Sequence, residues 1–375
     1  MRSDLPDMCC SLVSVRVIDK GNGMQGNNEQ NAAGAAAQGV DAERLDRWMR
    51  ENIPGYEGPL EISKFAGGQS NPTFKVEAKS GAYVLRRKPM GQLVKSAHAV
   101  DREYRVMSAL HKQGYLVPHA YALCMDDAVI GSAFYVMSMI DGRVFTDQLL
   151  PDVSFEDRRS IFVSQAKALA RLHNFKPDEI GLGDYGRPGN YFERQIRLWQ
   201  RQYSETKDRD IPEMEKLMEW LPTSVPPQER LSIVHGDYKL HNVMFHKTEP
   251  RVAAVLDWEL STLGDPMADV SYMLMQWVRN DDLFGGLLGA DLGGLNIPTV
   301  DEMLEIYCTE ANRAEIPDLS WYFAFNMFRL AGISQGIAGR IKQGNASSDK
   351  AHLAAKRVVP LAKTAWEYAQ KLGAK

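Results

Sequence analysis

Apolar residues first fall into a regular period after residue 40. Asp41 reads as a helix N-cap, and Leu45, Trp48, Met49 and Ile53 follow on one helical face. From Leu60 the period shortens to that of strands. LEISKF, PTFKVEA and AYVLRR are short β-type runs separated by Gly-rich or Ser-Gly turns. A helix with Val100, Tyr104, Met107 and Leu110 on one side comes next, then two more strand candidates, YALCM and FYVMSMI. Strands with one inserted helix predict an antiparallel sheet with a packed helix. Beyond Gly142 the texture turns helical, with helix-like patterns near 156–173, 191–206, 266–278, 299–311, 318–342 and 350–372. One strand pair interrupts them, NVMF (242–245) and VAAVLDW (252–258). The expected organisation is a leader over 1–40, a sheet-rich lobe over 41–140 and a mainly helical lobe over 141–375, α+β in class.

Composition narrows the function. The 375 residues suit two lobes, and 44% hydrophobic with 25% charged residues is the balance of a globular protein with a sizeable core. A net charge of −4 offers no basic field for nucleic acid or a membrane surface. The four cysteines show no metal-ligand or redox spacing, as expected of reduced, incidental thiols in a cytoplasmic protein. The apolar runs are too short to span a bilayer, and the first twenty residues make a poor signal peptide. Gly21 to Gly39 is rich in Gly, Asn, Gln and Ala without an apolar period, which predicts disorder.

The candidate chemistry lies in IVHGDYKLHNVMF. His235, Gly236, Asp237 and Asn242 form H-G-D-x-x-x-x-N, with the Asp-to-Asn spacing of the protein-kinase catalytic loop. A carboxylate must accept or orient the proton of an attacking hydroxyl, and a side-chain amide oxygen must hold Mg²⁺ one loop turn away. Asp237 and Asn242 can do both from one short loop. His235 reads as a structural loop residue. Asp257 ends the apolar run VAAVLDW, and a hairpin around HKTEPR would bring it toward Asn242 as a second metal ligand. Upstream, Gly67 and Gly68 lie in FAGGQSNPTFKV between the first two strands. Amides near Gln69, Ser70 and Asn71 are candidates to face phosphate oxygens. Asp265 before Pro266 reads as a helix cap.

These motifs, with the longer runs YVLRRKP, SAHAVDREYRVMSAL, DYGRPGNYFERQI, VHGDYKLHNVMFH and LDWELSTLGDP, resemble the aminoglycoside phosphotransferase and choline-kinase-like superfamily. Within it they are most similar to the kinase domains of acyl-CoA dehydrogenase family members ten and eleven. The likeness covers about residues 41–375. It implies a protein-kinase-like two-lobed fold, ATP as phosphoryl donor with Mg²⁺, and a small-molecule hydroxyl acceptor. It also implies Arg86 as the third-strand cation on the phosphates, with Arg87 and Lys88 as alternatives. Glu103 is then its helix partner, and the backbone of Met139 and Ile140 is the purine-binding segment. Asp269 is implied to support the catalytic loop.

The acceptor is less legible. Arg194, Arg197 and Arg201 form a stripe at helical spacing, read either as a solvated basic face or as a rim for an anionic acceptor such as a 4-hydroxyacyl-CoA. FGGLLGADLGGLN (284–296) reads as a mobile lid or as a surface loop. The competing functions are an aminoglycoside or other amino-alcohol phosphotransferase and a nucleotide-binding pseudokinase. Oligomeric state is left open.

Overall fold

The computed structural model describes residues 39–65, 71–89, 99–187, 189–279, 285–342 and 349–375. The disordered leader expected over 1–40 lies almost wholly outside the described residues, as do Gly67, Gly68 and Ser70. The chain divides into two compact units. The first runs to Val144 and also takes Met244–Lys247 and Ala253–Glu259, segments that a reading along the chain assigned to the later lobe. The second takes Phe145–Val243, Thr248–Val252 and Leu260–Lys375.

In the first unit, α1 (Ala42–Asn52) starts at Asp41, whose carboxylate accepts from the Arg44 amide at 3.0 Å. Five strands follow: β1 (Leu60–Lys64), β2 (Thr73–Ala78), β3 (Gly81–Arg87), β4 (Ala120–Cys124) and β5 (Phe134–Ser138). They form one antiparallel sheet in the order β1-β2-β3-β5-β4. Helix α2 (Val100–Lys112) lies between β3 and β4 in sequence and packs on β4 and β5. A short α3 (Asp127–Ile130) joins β4 to β5.

The two-residue period of the strands sorts side chains by face. Phe74, Leu85 and Val136 pair across three strands and pack with Leu45, Met49 and Ile53 of α1 in one core. Trp48 meets the Phe134 ring edge-on at 4.7 Å. One residue on, Arg86 pairs with Tyr135, which puts a cation and a phenol on the opposite face.

Strands β6 (Gly142–Val144), β8 (Val243–His246) and β9 (Val252–Val255) make a three-stranded sheet, and Gly142 lies opposite His246. The hairpin expected from NVMF and VAAVLDW therefore forms. Its second strand ends at Val255 rather than at residue 258, because Asp257 takes a left-handed backbone with φ of 66°.

The second unit is mainly helical. It holds α4 (Phe155–Asn174), α5 (Tyr191–Thr206), α6 (Pro212–Trp220), α7 (Met267–Leu274), α8 (Leu292–Leu295), α9 (Val300–Glu310), α10 (Ser320–Lys342), α11 (Asp349–Lys356) and α12 (Val358–Lys371). A ribbon of β7 (Ser232–Val234) and β10 (Thr262–Gly264) is antiparallel. Helix α10 packs on α5, α7, α11 and α12, and Trp321 through Ala331 are buried without interruption. A helix apolar on all sides belongs at the centre of a bundle.

The single helix predicted over 350–372 is two helices. Pro360 lies in the first turn of α12, where its missing N–H is harmless, whereas it would break the ladder of one continuous helix. Helix α6 escaped the periodicity reading, although Pro212 at its start and the buried Met214 and Leu217 signal it. The three-residue strands β6, β7 and β10 are too short to show a period.

Leu45 is fully buried while Arg47 is exposed on the same helix. Leu45→Ala should lower stability by about 2–5 kcal/mol and Arg47→Ala should change it by less than about 0.5 kcal/mol, read from urea melts followed by circular dichroism.

Candidate active site

Two groups of polar residues, one in each unit, carry the expected chemistry. In the first unit Arg86 is the hub. Its Nε lies 2.9 Å from Glu103 Oε2, and its Nη2 lies 2.9 Å from Asp257 Oδ1 and 3.2 Å from Glu259 Oε2. Strand β3 supplies the arginine, helix α2 supplies Glu103, and the turn after β9 supplies the other two carboxylates.

Glu103 is held from both sides, since Asn71 Nδ2 donates to Oε1 at 2.7 Å and the Tyr135 hydroxyl donates to Oε2 at 3.0 Å. Burial still pushes its carboxyl above the ordinary range, against the pull of Arg86. The same burial, with Glu103 alongside, raises the Tyr135 hydroxyl well above its usual value. Asp257 is aimed by its left-handed backbone, a conformation that costs a non-glycine residue about 1–2 kcal/mol and that a short polar side chain tolerates best. The buried Trp258 fixes the next position, its Nε1 donating to Val255 O at 3.0 Å.

Three carboxylates thus surround one guanidinium, and among the described residues no group of three or more His, Cys, Asp or Glu side chains is arranged to hold a metal ion by itself. Of the neighbouring cations in YVLRRKP, Arg87 is spent on structure. Its Nη1 donates to the carbonyls of Gly39 and Ile130, and its guanidinium lies 5.5 Å from the Phe74 ring centre.

In the second unit the group is the loop from His235 to Asn242. Asp269, fully buried on α7, accepts from the His235 amide at 2.6 Å and from the Gly236 amide at 2.8 Å. Gly236 has φ of +85°, and a Cβ there would lie 2.6 Å from the Leu260 carbonyl oxygen. Only glycine fits such a close approach. His235 Nδ1 accepts from the Asp237 amide at 3.2 Å, which makes the histidine a loop brace. His173 extends the support, with Nε2 3.4 Å from Asp269 Oδ2 and Nδ1 2.7 Å from the Tyr307 hydroxyl.

Asp237 itself is buried. Its Oδ2 accepts from Asn242 Nδ2 at 2.8 Å and pairs with Lys239 Nζ at 2.8 Å, while Oδ1 has no hydrogen-bond partner among the described residues. Burial alone would push the carboxyl up, but Lys239, with Tyr272 and Arg329, overcomes it and holds the group below its ordinary value. The carboxylate is thus ionised, with one oxygen fixed and the other uncommitted. Asn242 Nδ2 also donates to Asp237 O at 2.9 Å. With the nitrogen engaged twice, the side-chain carbonyl oxygen is the remaining group, an oxygen of the type Mg²⁺ takes.

The other expected positions fare differently. Met139 and Ile140 form the link between β5 and β6, with Met139 exposed. Ser70 lies outside the described residues. The arginine stripe is not uniform. Arg194 donates to the carbonyls of Gly189 and Leu263, whereas Arg197 is exposed and pairs with Glu193 at 3.7 Å. Of the segment 284–296, read as a lid or a surface loop, residues 285–296 are described and include the short helix α8. Leu287 is buried with its amide on Gln276 O at 2.7 Å, and Asn296 Nδ2 donates to Phe155 O.

Lys239, Tyr135, Tyr272, His173 and Arg329 were not singled out from the sequence. Lys239 had a signal, since it stands two residues after Asp237 in the quoted motif. Arg329 had one too, as a lone cation inside the apolar run WYFAFNMFRLAGI.

The phosphotransferase enzyme family is matched over residues 61–305. The chain belongs to the phosphotransferase enzyme family. Acyl-CoA dehydrogenase family member 11 of Gallus gallus is 40% identical over 341 residues, covering 88% of this chain and 44% of that protein. Member 10 of Mus musculus is 40% identical over 337 residues, covering 89% and 32%. The chain spans less than half the length of these curated relatives.

A solved Ralstonia eutropha JMP134 protein, provisionally named an aminoglycoside phosphotransferase, superposes with a TM-score of 0.82 at 47% identity. It covers 88% of this chain and 98% of its own. Spectinomycin phosphotransferase, solved with ADP and spectinomycin, superposes with a TM-score of 0.59 over 89% of this chain and all of its own. At 11% identity that is a likeness of fold. The α+β, kinase-like fold implied by the motifs is therefore the fold of this phosphotransferase. Among the described residues no helix is long and apolar enough to cross a membrane.

Asp265 is another buried carboxyl. It accepts from the Met267 amide at 2.8 Å and so starts α7, which begins one residue later than the Pro266 position expected. Burial raises its pKa to about 6 from 3.8. The folded state thus binds this proton more tightly than the unfolded chain, and that contribution is lost as pH rises through about 6. Asp265→Asn should leave stability near pH 3 almost unchanged and raise it at pH 8 by about 1–3 kcal/mol, the difference developing between about pH 4 and pH 6, read from urea midpoints at pH 3 and pH 8.

Proposed function

We propose that the chain is a small-molecule kinase that transfers the γ-phosphate of ATP to a hydroxyl of its acceptor. The observation that carries this reading is Asp237, a buried carboxylate held ionised with Oδ2 fixed by Lys239 and Asn242 and Oδ1 uncommitted. In the proposed step the acceptor oxygen forms a bond to the γ-phosphorus as the bond to the β,γ-bridging oxygen breaks. The hydroxyl proton passes to Asp237 Oδ1, and ADP leaves.

Asn242, through its amide oxygen, and Asp257 are the proposed Mg²⁺ ligands. The ion, when bound, supplies charge neutralisation on the phosphates. Arg86, positioned by Glu103, is the proposed phosphate cation. Ser70 and the backbone of Met139 and Ile140 are the proposed donor contacts. ATP as donor is supported by the ADP found in a protein of the same fold.

Asp237→Asn should lower turnover by about 10²–10⁴-fold while leaving the melting temperature close to that of the parent protein. Asp257→Ala should weaken Mg²⁺-dependent nucleotide binding in calorimetry as well as remove activity. Near-parental turnover in Asp237→Asn would remove the role given to this residue.

For the acceptor, the proposed class is hydroxyacyl-CoA, with the 4-hydroxy compounds favoured. The support is the 40% identity to two proteins named as acyl-CoA dehydrogenase family members. The exposed Arg197 and Arg201 are suited to the phosphates of CoA. The name carried by the 47% identical Ralstonia protein favours a second reading, an aminoglycoside acceptor. A panel of hydroxyacyl-CoAs, choline, sugars and aminoglycosides with Mg-ATP separates the two. With the CoA acceptor, Arg197→Ala combined with Arg201→Ala should raise KM for acyl-CoA several-fold and leave KM for ATP unchanged.

A further inference from the structure

Arg329 stands near the middle of α10, buried, in a helix otherwise made of apolar and small residues at that level. A buried guanidinium is costly unless its hydrogen bonds are met. Its Nη2 donates to the Gly236 carbonyl oxygen at 2.6 Å. The guanidinium carbon lies 5.7 Å from the Trp199 ring centre on α5 and 5.3 Å from the Tyr272 ring centre on α7. Two aromatic faces from two helices therefore set its position, and cation–π attraction holds it there.

The Gly236 carbonyl and the Asp237 amide belong to one rigid peptide plane. Arg329 holds the carbonyl end of that plane, and His235 Nδ1 accepts from the amide end at 3.2 Å. The Cα of Asp237 is carried on the same plane. A rotation of the plane would swing the Asp237 carboxylate away from Lys239 and Asn242. Asp269 cannot prevent this, because it binds the preceding amides, those of His235 and Gly236.

We propose that Arg329 is a positioning residue for phosphoryl transfer, clamping the Gly236–Asp237 peptide plane so that the Asp237 carboxylate is presented in one orientation. The proposal rests on the reading of Asp237 as the residue that handles the acceptor proton. Arginine suits the task because its planar fork reaches a carbonyl while its face stacks on rings, which an ammonium cannot do at once. Misplacement of a reacting group by about 1 Å costs on the order of 10²-fold in rate. The clamp acts on turnover and leaves the donor contacts of the first unit untouched.

The test uses the full chain and compares Arg329→Met, Arg329→Lys and Arg329→Ala with Asp237→Asn. Turnover is read as ADP formed from Mg-ATP, both with the best acceptor of the panel and with water alone. In Arg329→Met, kcat should fall by about 10–100-fold with KM for ATP within about twofold. Added guanidinium ion, at concentrations below those that unfold the protein, should restore part of kcat in Arg329→Ala and nothing in Asp237→Asn.

Hydrogen exchange supplies a readout that needs no turnover. Amides of the 235–242 segment should exchange at least tenfold faster in Arg329→Met than in the parent chain, with the first unit unchanged. Parental kcat per folded molecule together with parental exchange in 235–242 would overturn the proposal. So would a loss of folded protein with no change in kcat, since that describes packing alone. If Asp237→Asn keeps full turnover, the reading of Asp237 fails by itself, and the exchange measurement still decides whether Arg329 clamps the plane.

Discussion

The catalytic loop depends on one buried carboxylate. Asp269 accepts two consecutive backbone amides, those of His235 and Gly236, and it has no exposure to water. Burying a carboxylate in this way is unfavourable by several kcal/mol unless its lone pairs are met, so the bonds are compulsory for both partners. The demand runs outward. Gly236 must be glycine, because its backbone is left-handed and close to Leu260. His173 must lie beside Asp269, and Tyr307 beside His173. Helix α7 must begin where Asp265 caps it, so that Asp269 falls in its first turn. Asp237 inherits its place from this framework, and the Lys239 and Asn242 contacts then fix its orientation.

The first unit solves a similar problem with the opposite sign of charge at the centre. Arg86 is a buried cation ringed by Glu103, Asp257 and Glu259. The guanidinium stays protonated at any accessible pH and binds several oxygens in fixed directions, which lets one side chain organise carboxylates from a helix and a turn. Glu103 shows the cost. Burial drives its carboxyl up, and Asn71 and Tyr135 supply hydrogen bonds that offset part of the penalty. A lysine at position 86 would bring a point charge with freely rotating donors.

The sequence by itself determined the elements and the chemistry-bearing positions that depend on local pattern. The period of Leu45, Trp48, Met49 and Ile53 was enough to define α1, and alternation was enough to place Leu85 and Arg86 on opposite faces of β3. The spacing of Asp237 and Asn242 lay in one short loop, so their contact follows from neighbouring residues. Tertiary structure decided what local pattern does not encode. Asp257, two residues past the end of β9, takes a left-handed φ that the apolar run VAAVLDW does not signal. Arg194 folds back onto carbonyls of Gly189 and Leu263, 69 residues away in the second case, while Arg197 on the same helix faces water. Arg329 reaches Gly236 from 93 residues away. Such contacts are chosen by packing and by the requirement that every buried polar group find a partner, and both conditions exist only once the chain has closed on itself.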